Sequence, residues 1–250
     1  MTKLLPGTAM TLIAAGLCTT AWANTADTVQ WGYTAPSGPE SWSELKSEYR
    51  LCTSGKEQSP IDIHDTVQAG VEPPTFTYRP STATVLNNGH TIQVSPQEPG
   101  GITLASGAYS LVQMHFHTPS EEKIQGRSYP LNAHLVHRNT AGELAVVALL
   151  FEEGAHNPTL EPILTAMPKS AGGTATLDTL NIADLLPATH NTYSYLGSLT
   201  TPPCTEGVRW HVLTTAVQIS RVQLEAFQAL YPMNARPVQP LNGRSVQVDG

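Results

Sequence analysis

Residues 113–119 read QMHFHTP, two histidines one residue apart inside an otherwise apolar run. In a strand, side chains at i and i+2 share a face, so His115 and His117 project side by side with Gln113 while Met114 and Phe116 face away. A second histidine-bearing run, LNAHLVH at 131–137, puts Asn132, His134 and Val136 on one face and turns His137 to the other. One reversal through 126–130 would bring His134 onto His115 and His117. Three imidazole nitrogens on a sheet floor, with a fourth position left open, are the donor set of catalytic rather than structural zinc. A lone HxH in a strand is ordinary core or surface chemistry. The third in-phase histidine favours metal without deciding against that plainer reading.

Such a floor needs a sheet beneath it. The runs ATVLNNGHTIQVS, YSLVQMHFHT, LNAHLVHRN, ELAVVALLFEE and VRWHVLTTAVQI are rich in β-branched and aromatic residues and bounded by turn formers, which predicts strands. Asn88-Gly89 and Gly100-Gly101 predict sharp turns. Only two stretches predict helices. Asn157 and Pro158 can start one through Leu160, Ile163, Leu164 and Met167, and Ser220 with Gln223 forms a capping box ahead of Leu224, Phe227 and Tyr231. No repeat, charge block or linker divides the chain, so the expectation is one mainly β domain with a few peripheral helices.

The first 23 residues have Lys3, an apolar middle from Met10 to Leu17, and Ala21 and Ala23 around Trp22. This is the pattern of a secretory leader with an A-x-A cleavage site, too short and too weakly apolar to span a membrane. A lipid-modified Cys18 is the weaker alternative, because bulky Leu17 precedes it. Cleavage would leave residues 24–250 as one exported domain, periplasmic by expectation, with no later membrane span. The net charge of −7 speaks against nucleic acid or an anionic membrane surface as partner. Of three cysteines, Cys52 and Cys204 would remain. An even pair in an oxidising compartment predicts a disulfide, worth roughly 5 kcal/mol on the chain-entropy model for so long a loop.

The segments QMHFHTPSEE, YPLNAHLVHRN, LNNGH, QSPIDI and YSYLGSLTTPPCTEGVRW resemble the signature segments of the α-class carbonic anhydrases, in their exported bacterial branch. Trp31-Gly32-Tyr33 and RPVQPLNGR extend the resemblance over nearly all of residues 24–250. It implies a single domain around a ten-stranded, mostly antiparallel twisted sheet. The implied reaction is reversible hydration of CO2 to bicarbonate and a proton by a hydroxide on zinc. His115, His117 and His134 match the family's zinc ligands. Glu121 and Thr200 match its acceptor and gate: a Thr200 hydroxyl that donates to Glu121 can only accept from the nucleophile, and so orients it. Gln113 and Asn132 are placed to hold ligand rings from outside, the Asn132 amide oxygen taking the outer N–H of His134. Val136, Val146, Leu199 and Trp210, with Thr201 beside them, match the apolar wall where CO2 rests.

His90, after LNNG, matches the family's proton shuttle. For carbonic anhydrase itself the pKa of the zinc-bound water is known to be about 7, so even diffusion-limited exchange near 10^10 M⁻¹s⁻¹ releases its proton to water at only about 10^3 s⁻¹. The turnover near 10^6 s⁻¹ known for the same enzyme class therefore needs a nearby group titrating near neutrality. Two positions depart from the family's pattern: Glu122 stands where histidine is common, and Asn132 where glutamate is usual. A metal-dependent cupin also offers HxH and a following glutamate, but Tyr109 occupies the position where its pattern wants glycine. A non-catalytic zinc module would need the three histidines but not His90, Glu121 and Thr200 together. The expected small-molecule partners are CO2 and bicarbonate, with a homodimer left open.

Overall fold

The computed structural model describes Met1, residues 30–68 and residues 72–248. The expected leader, Met1 apart, lies outside the described residues. Ten strands run in one continuous sheet: β1 (Thr66–Gln68), β2 (Ser81–Asn87), β3 (Ile92–Pro96), β4 (Gly107–His117), β5 (Leu131–Arg138), β6 (Leu144–Glu153), β7 (Thr174–Leu180), β8 (Thr192–Ser198), β9 (Glu206–Leu213) and β10 (Val246–Val248). Their order is β7-β2-β3-β4-β5-β6-β9-β8-β10-β1, and the short strands Thr75–Phe76, Gly101–Leu104 and Val217–Ile219 attach beside it to make thirteen. Most pairs are antiparallel, as expected. The exceptions are β6 with β9, β6 with Val217–Ile219, and β10 with β1.

The centre of the sheet is covered on both faces. Along β6, Ala145, Val147, Leu149 and Phe151 enter one hydrophobic cluster and Val146, Ala148 and Leu150 enter another. That two-sided burial explains the unbroken apolar run of its sequence. The larger cluster packs sheet side chains such as Met114, Phe116 and Leu135 against Ile163, Leu224 and Phe227 of two helices. Each such buried side chain contributes roughly 1.5–3 kcal/mol. The opposite face, floored by β4 and β5, carries the histidines.

Strand β4 does not keep one phase from end to end. Val136 pairs with Gln113 but His137 pairs with Leu111, so Val112 is an extra residue, a β-bulge. Beyond it the odd-numbered residues change sides: Tyr109 and Leu111 lie in the same cluster as Met114 and Phe116. Gln113, His115 and His117 are thereby freed to face the other way.

The capping box at Ser220 and Gln223 opens the helix Arg221–Gln228 as the sequence predicts. The other helix is shorter than expected, Glu161–Ala166. Asn157 Oδ1 accepts from the N–H groups of Thr159 and Leu160 and holds those residues in a turn ahead of the helix. The run VRWHVLTTAVQI, expected as one strand, divides into β9 and Val217–Ile219. Two four-residue helices, Trp42–Leu45 and Leu51–Ser54, are too short to have shown a periodic signal.

Candidate metal centre

Antiparallel pairing of β4 and β5 sets His115 opposite His134 and His117 opposite Asn132. The three histidine rings stand with centroids 4.7–5.4 Å apart, and one nitrogen of each lies within 4.8 Å of the others. Each ring is held from outside through its remaining nitrogen. His115 Nδ1 meets Gln113 Oε1 at 2.8 Å, His117 Nδ1 donates to the Asn234 carbonyl at 2.8 Å, and His134 Nε2 meets Glu122 Oε1 at 2.9 Å. These bonds leave His115 Nε2, His117 Nε2 and His134 Nδ1 to point at one another.

His117 Nε2 is a buried polar atom without a hydrogen-bond partner, and a buried donor or acceptor left unpaired is costly. A cation in the centre of the three nitrogens removes that cost. Burial, reinforced by the His134 charge, pushes His115 down to about 3, and His117 falls well below the ordinary histidine value for the same reasons with His115 adding to them. Both rings are therefore neutral near pH 7, the form that ligates. The donor set fits zinc.

His134 behaves differently. Burial would lower it, but the Glu122 charge and hydrogen bond, with Glu121 behind them, raise it instead. The outer partner of His134 is therefore a carboxylate rather than the Asn132 amide oxygen expected from the sequence. Asn132 donates its Nδ2 to Glu122 Oε2 at 2.7 Å, that same nitrogen lies 2.7 Å from His134 Nε2, and Asn132 Oδ1 has no partner. The sequence expectation failed because the segment carrying Glu122 folds back across the end of β5, a tertiary contact that strand periodicity cannot register.

Glu121 is fully enclosed beside the rings. Its Oε1 accepts the backbone N–H of Arg236 at 2.8 Å and lies 3.5 Å from His117 Nδ1, while Oε2 is 3.8 Å from His134 Nδ1. Burial pushes the carboxyl up to about 7, partly opposed by His134 and supported by Glu122, and the Arg236 N–H and the Thr200 hydroxyl favour the charged form. Glu121 Oε2 itself has no hydrogen-bond partner. Thr200 and Thr201 begin the turn after β8. There Leu199 N–H donates to the Thr205 carbonyl and Cys204 N–H to the Thr201 carbonyl, each at 2.9 Å.

The Cys52–Cys204 disulfide expected from the sequence is present, and it ties that turn to the segment 51–54. Val146 and Trp210 are buried in the apolar cluster of the site face, with Val136 and Leu199 packed against it. The Trp210 indole stands edge-on to His134 at 4.8 Å and is fixed by donating to the Ser198 carbonyl. His90 sits half-buried in the Asn88-Gly89 turn, its ring stacked on Trp31 at 3.7 Å and its pKa lowered by burial.

Sequence reasoning missed two residues of this neighbourhood. Asn234 caps His117 with its carbonyl, and its side chain accepts from Thr118 N–H and donates to the carbonyls of His90 and Phe116. Arg236 reaches Glu121 through its backbone and clamps the carbonyls of Ser59 and Cys52 with its guanidinium, whose pKa burial lowers to about 10 against the pull of Glu121. Arg236 lies in the quoted RPVQPLNGR segment, but nothing in its spacing pointed to a glutamate 115 positions earlier. Asn234 had no signal at all.

The model of the eukaryotic-type carbonic anhydrases matches residues 37–250. A carbonic anhydrase of Neisseria gonorrhoeae is 46% identical over 218 residues, 86% of each chain. One from a Nostoc species is 41% identical, covering 88% of this chain and 86% of its own. Among solved structures, the α-carbonic anhydrase of Thermovibrio ammonificans, in complex with the inhibitor sulfanilamide, superposes with a TM-score of 0.86 at 43% identity, covering 88% of this chain and 99% of that one.

Proposed function

The chain belongs to the eukaryotic-type carbonic anhydrase family and is a zinc-dependent carbonic anhydrase; from that premise we propose that His115, His117 and His134 hold the zinc, that Glu121 and Thr200 orient the nucleophile, and that His90 carries the proton away. The observation that carries this reading is the convergence of three ring nitrogens, each the one its outer hydrogen bond leaves over, within 4.8 Å. When bound, the zinc supplies Lewis acidity that brings a water's pKa to about 7, a value known for carbonic anhydrase itself.

Thr200 donates its hydroxyl proton toward Glu121, which leaves its oxygen only acceptor capacity on the side facing the rings. A group there must present a proton to Thr200 and its lone pair elsewhere. The Arg236 N–H keeps Glu121 in place for this and favours its charged form. Val136, Val146, Leu199 and Trp210 form a wall without competing polar partners, which suits a neutral molecule with no dipole. His90, in a turn at the rim and partly open to solvent, takes the released proton and passes it to buffer. Its stack on Trp31 gives the ring a resting place outside the hydrogen-bond network.

The same reading includes export of residues 24–250 after removal of the leader. The disulfide supports it, since such bonds persist in oxidising compartments, and no helix among the described residues is long and apolar enough to cross a membrane. Amino-terminal sequencing of the secreted protein should begin at Asn24. The ligand assignment is tested by metal analysis with CO2 hydration: wild type should carry one zinc and lose activity to a chelator. Full zinc occupancy in His134→Ala would overturn the assignment.

A further inference from the structure

We propose that Glu122 is the positioning residue that selects the metal-binding tautomer of His134, with Asn132 as its neutral anchor; this rests on reading His134 as a zinc ligand. Two groups compete for the outer nitrogen of that ring. Glu122 Oε1, at 2.9 Å, can only accept, so it requires the proton on Nε2 and leaves the Nδ1 lone pair facing His115 and His117. Asn132 Nδ2, at 2.7 Å, can only donate. If it won, the proton would move to Nδ1 and the ring could not ligate.

The contest is settled by where the Asn132 protons go. Its Nδ2 lies 2.7 Å from Glu122 Oε2, so the carboxylate takes one of the two Asn132 N–H protons with one oxygen, and with the other it requires a proton on His134 Nε2, because a lone pair there would face an anion at 2.9 Å. A negatively charged acceptor makes the stronger bond to each. Glu122 is in turn fixed by its own backbone, its carbonyl accepting from Ser120 Oγ at 2.7 Å. Both side chains are wholly enclosed, so water does not relieve either bond. The two departures from the family's pattern are thus one: the negative charge usual at position 132 stands at position 122 here, and the neutral residue has taken its place.

Chelator competition on the zinc-loaded enzyme tests this. Glu122→Gln keeps the shape, removes the charge and gives position 122 a donor of its own. It should bind zinc roughly 10 to 100-fold more weakly and release it faster. Adding Asn132→Glu to that variant should restore most of the affinity. Asn132→Glu alone sets a second carboxylate against Glu122 and should weaken binding; tighter binding would overturn the proposal, because the amide position would then be the operative partner. A folded Glu122→Gln protein with wild-type affinity and release rate would overturn it too. Should Glu122→Gln not fold, the wild type still decides. In the zinc-loaded protein the His134 Nε2 proton should be slowly exchanging, shifted downfield and in contact with the Glu122 side chain by NMR, and a proton placed against Asn132 Oδ1 instead refutes the assignment. Loss of zinc in His134→Ala with no effect of Glu122→Gln would sink only this proposal and leave the ligand set standing.

Discussion

His134 and His137 lie three residues apart on β5, both enclosed, and they have opposite characters. His134 faces the other two histidines and is drawn toward its protonated form by Glu122 and Glu121 against the effect of burial. His137 faces the main core, where its Nε2 meets the Tyr78 hydroxyl at 2.7 Å and its Nδ1 meets the Ala145 carbonyl at 3.3 Å. Burial pushes it down to about 3, with backbone contacts to Ala145 and Leu135 opposing. Depth and residue type are the same. What separates the proposed ligand from a packing residue here is the strand face, and the anion waiting on that face.

The largest effect should separate the two outright. His134→Ala should lose both bound zinc and measurable CO2 hydration, whereas His137→Ala should keep one zinc per chain by metal analysis. A zinc-free His137→Ala that remained folded would erase the contrast. His90 extends the comparison to a histidine at the rim: without it, turnover should fall from the order of 10^6 toward 10^3 s⁻¹, and small imidazole buffers should restore it. An unrescued loss in His90→Ala would mean the ring supports structure instead.

Smaller effects concern stability. His137→Ala leaves a void and an unpaired Tyr78 hydroxyl, so urea denaturation should show a loss of roughly 2–5 kcal/mol. The same histidine also sets a pH effect that grows gradually, unit by unit. With a folded pKa of about 3 and an unfolded value near 6.5, His137 binds its proton more readily in the unfolded chain. Its contribution is complete above pH 6.5 and is lost as the pH falls toward 3, at about 1.4 kcal/mol per unit. His137→Gln should therefore flatten the acid limb of stability by one proton relative to wild type. Parallel curves for the two proteins would show that His137 titrates normally.

The faces of these histidines were legible because period two needs only local extended backbone. Gln113, His115 and His117 share a side, and so do Asn132 and His134, as the alternation predicted. The partners of the rings were less legible. Gln113 sits on its ligand's own strand and could be read as placed beside His115. Glu122 and Asn234 reach theirs through chain reversals and long-range packing, and no periodicity encodes those. The two odd positions, 122 and 132, were visible as departures but could not be joined until their side chains were seen 2.7 Å apart. The sheet's composition was likewise readable, while the bulge at Val112 was hidden by a run that is apolar on both sides of the break.

That bulge also marks how this chain can change length. In an unbroken strand, an insertion or deletion inverts every position on one side of it, and core and site would be damaged together. Val112 divides β4 into two reading frames. Deleting it would let Leu111 follow Gln113 directly, with Leu111 still opposite His137 and Gln113 still opposite Val136, so Tyr109 and Leu111 would keep the core face and the histidines theirs. An indel between 113 and 117 has no such extra residue to absorb it and would turn histidine positions toward the core. Homologues with shortened or lengthened versions of this strand are expected to carry the length difference at the bulge itself.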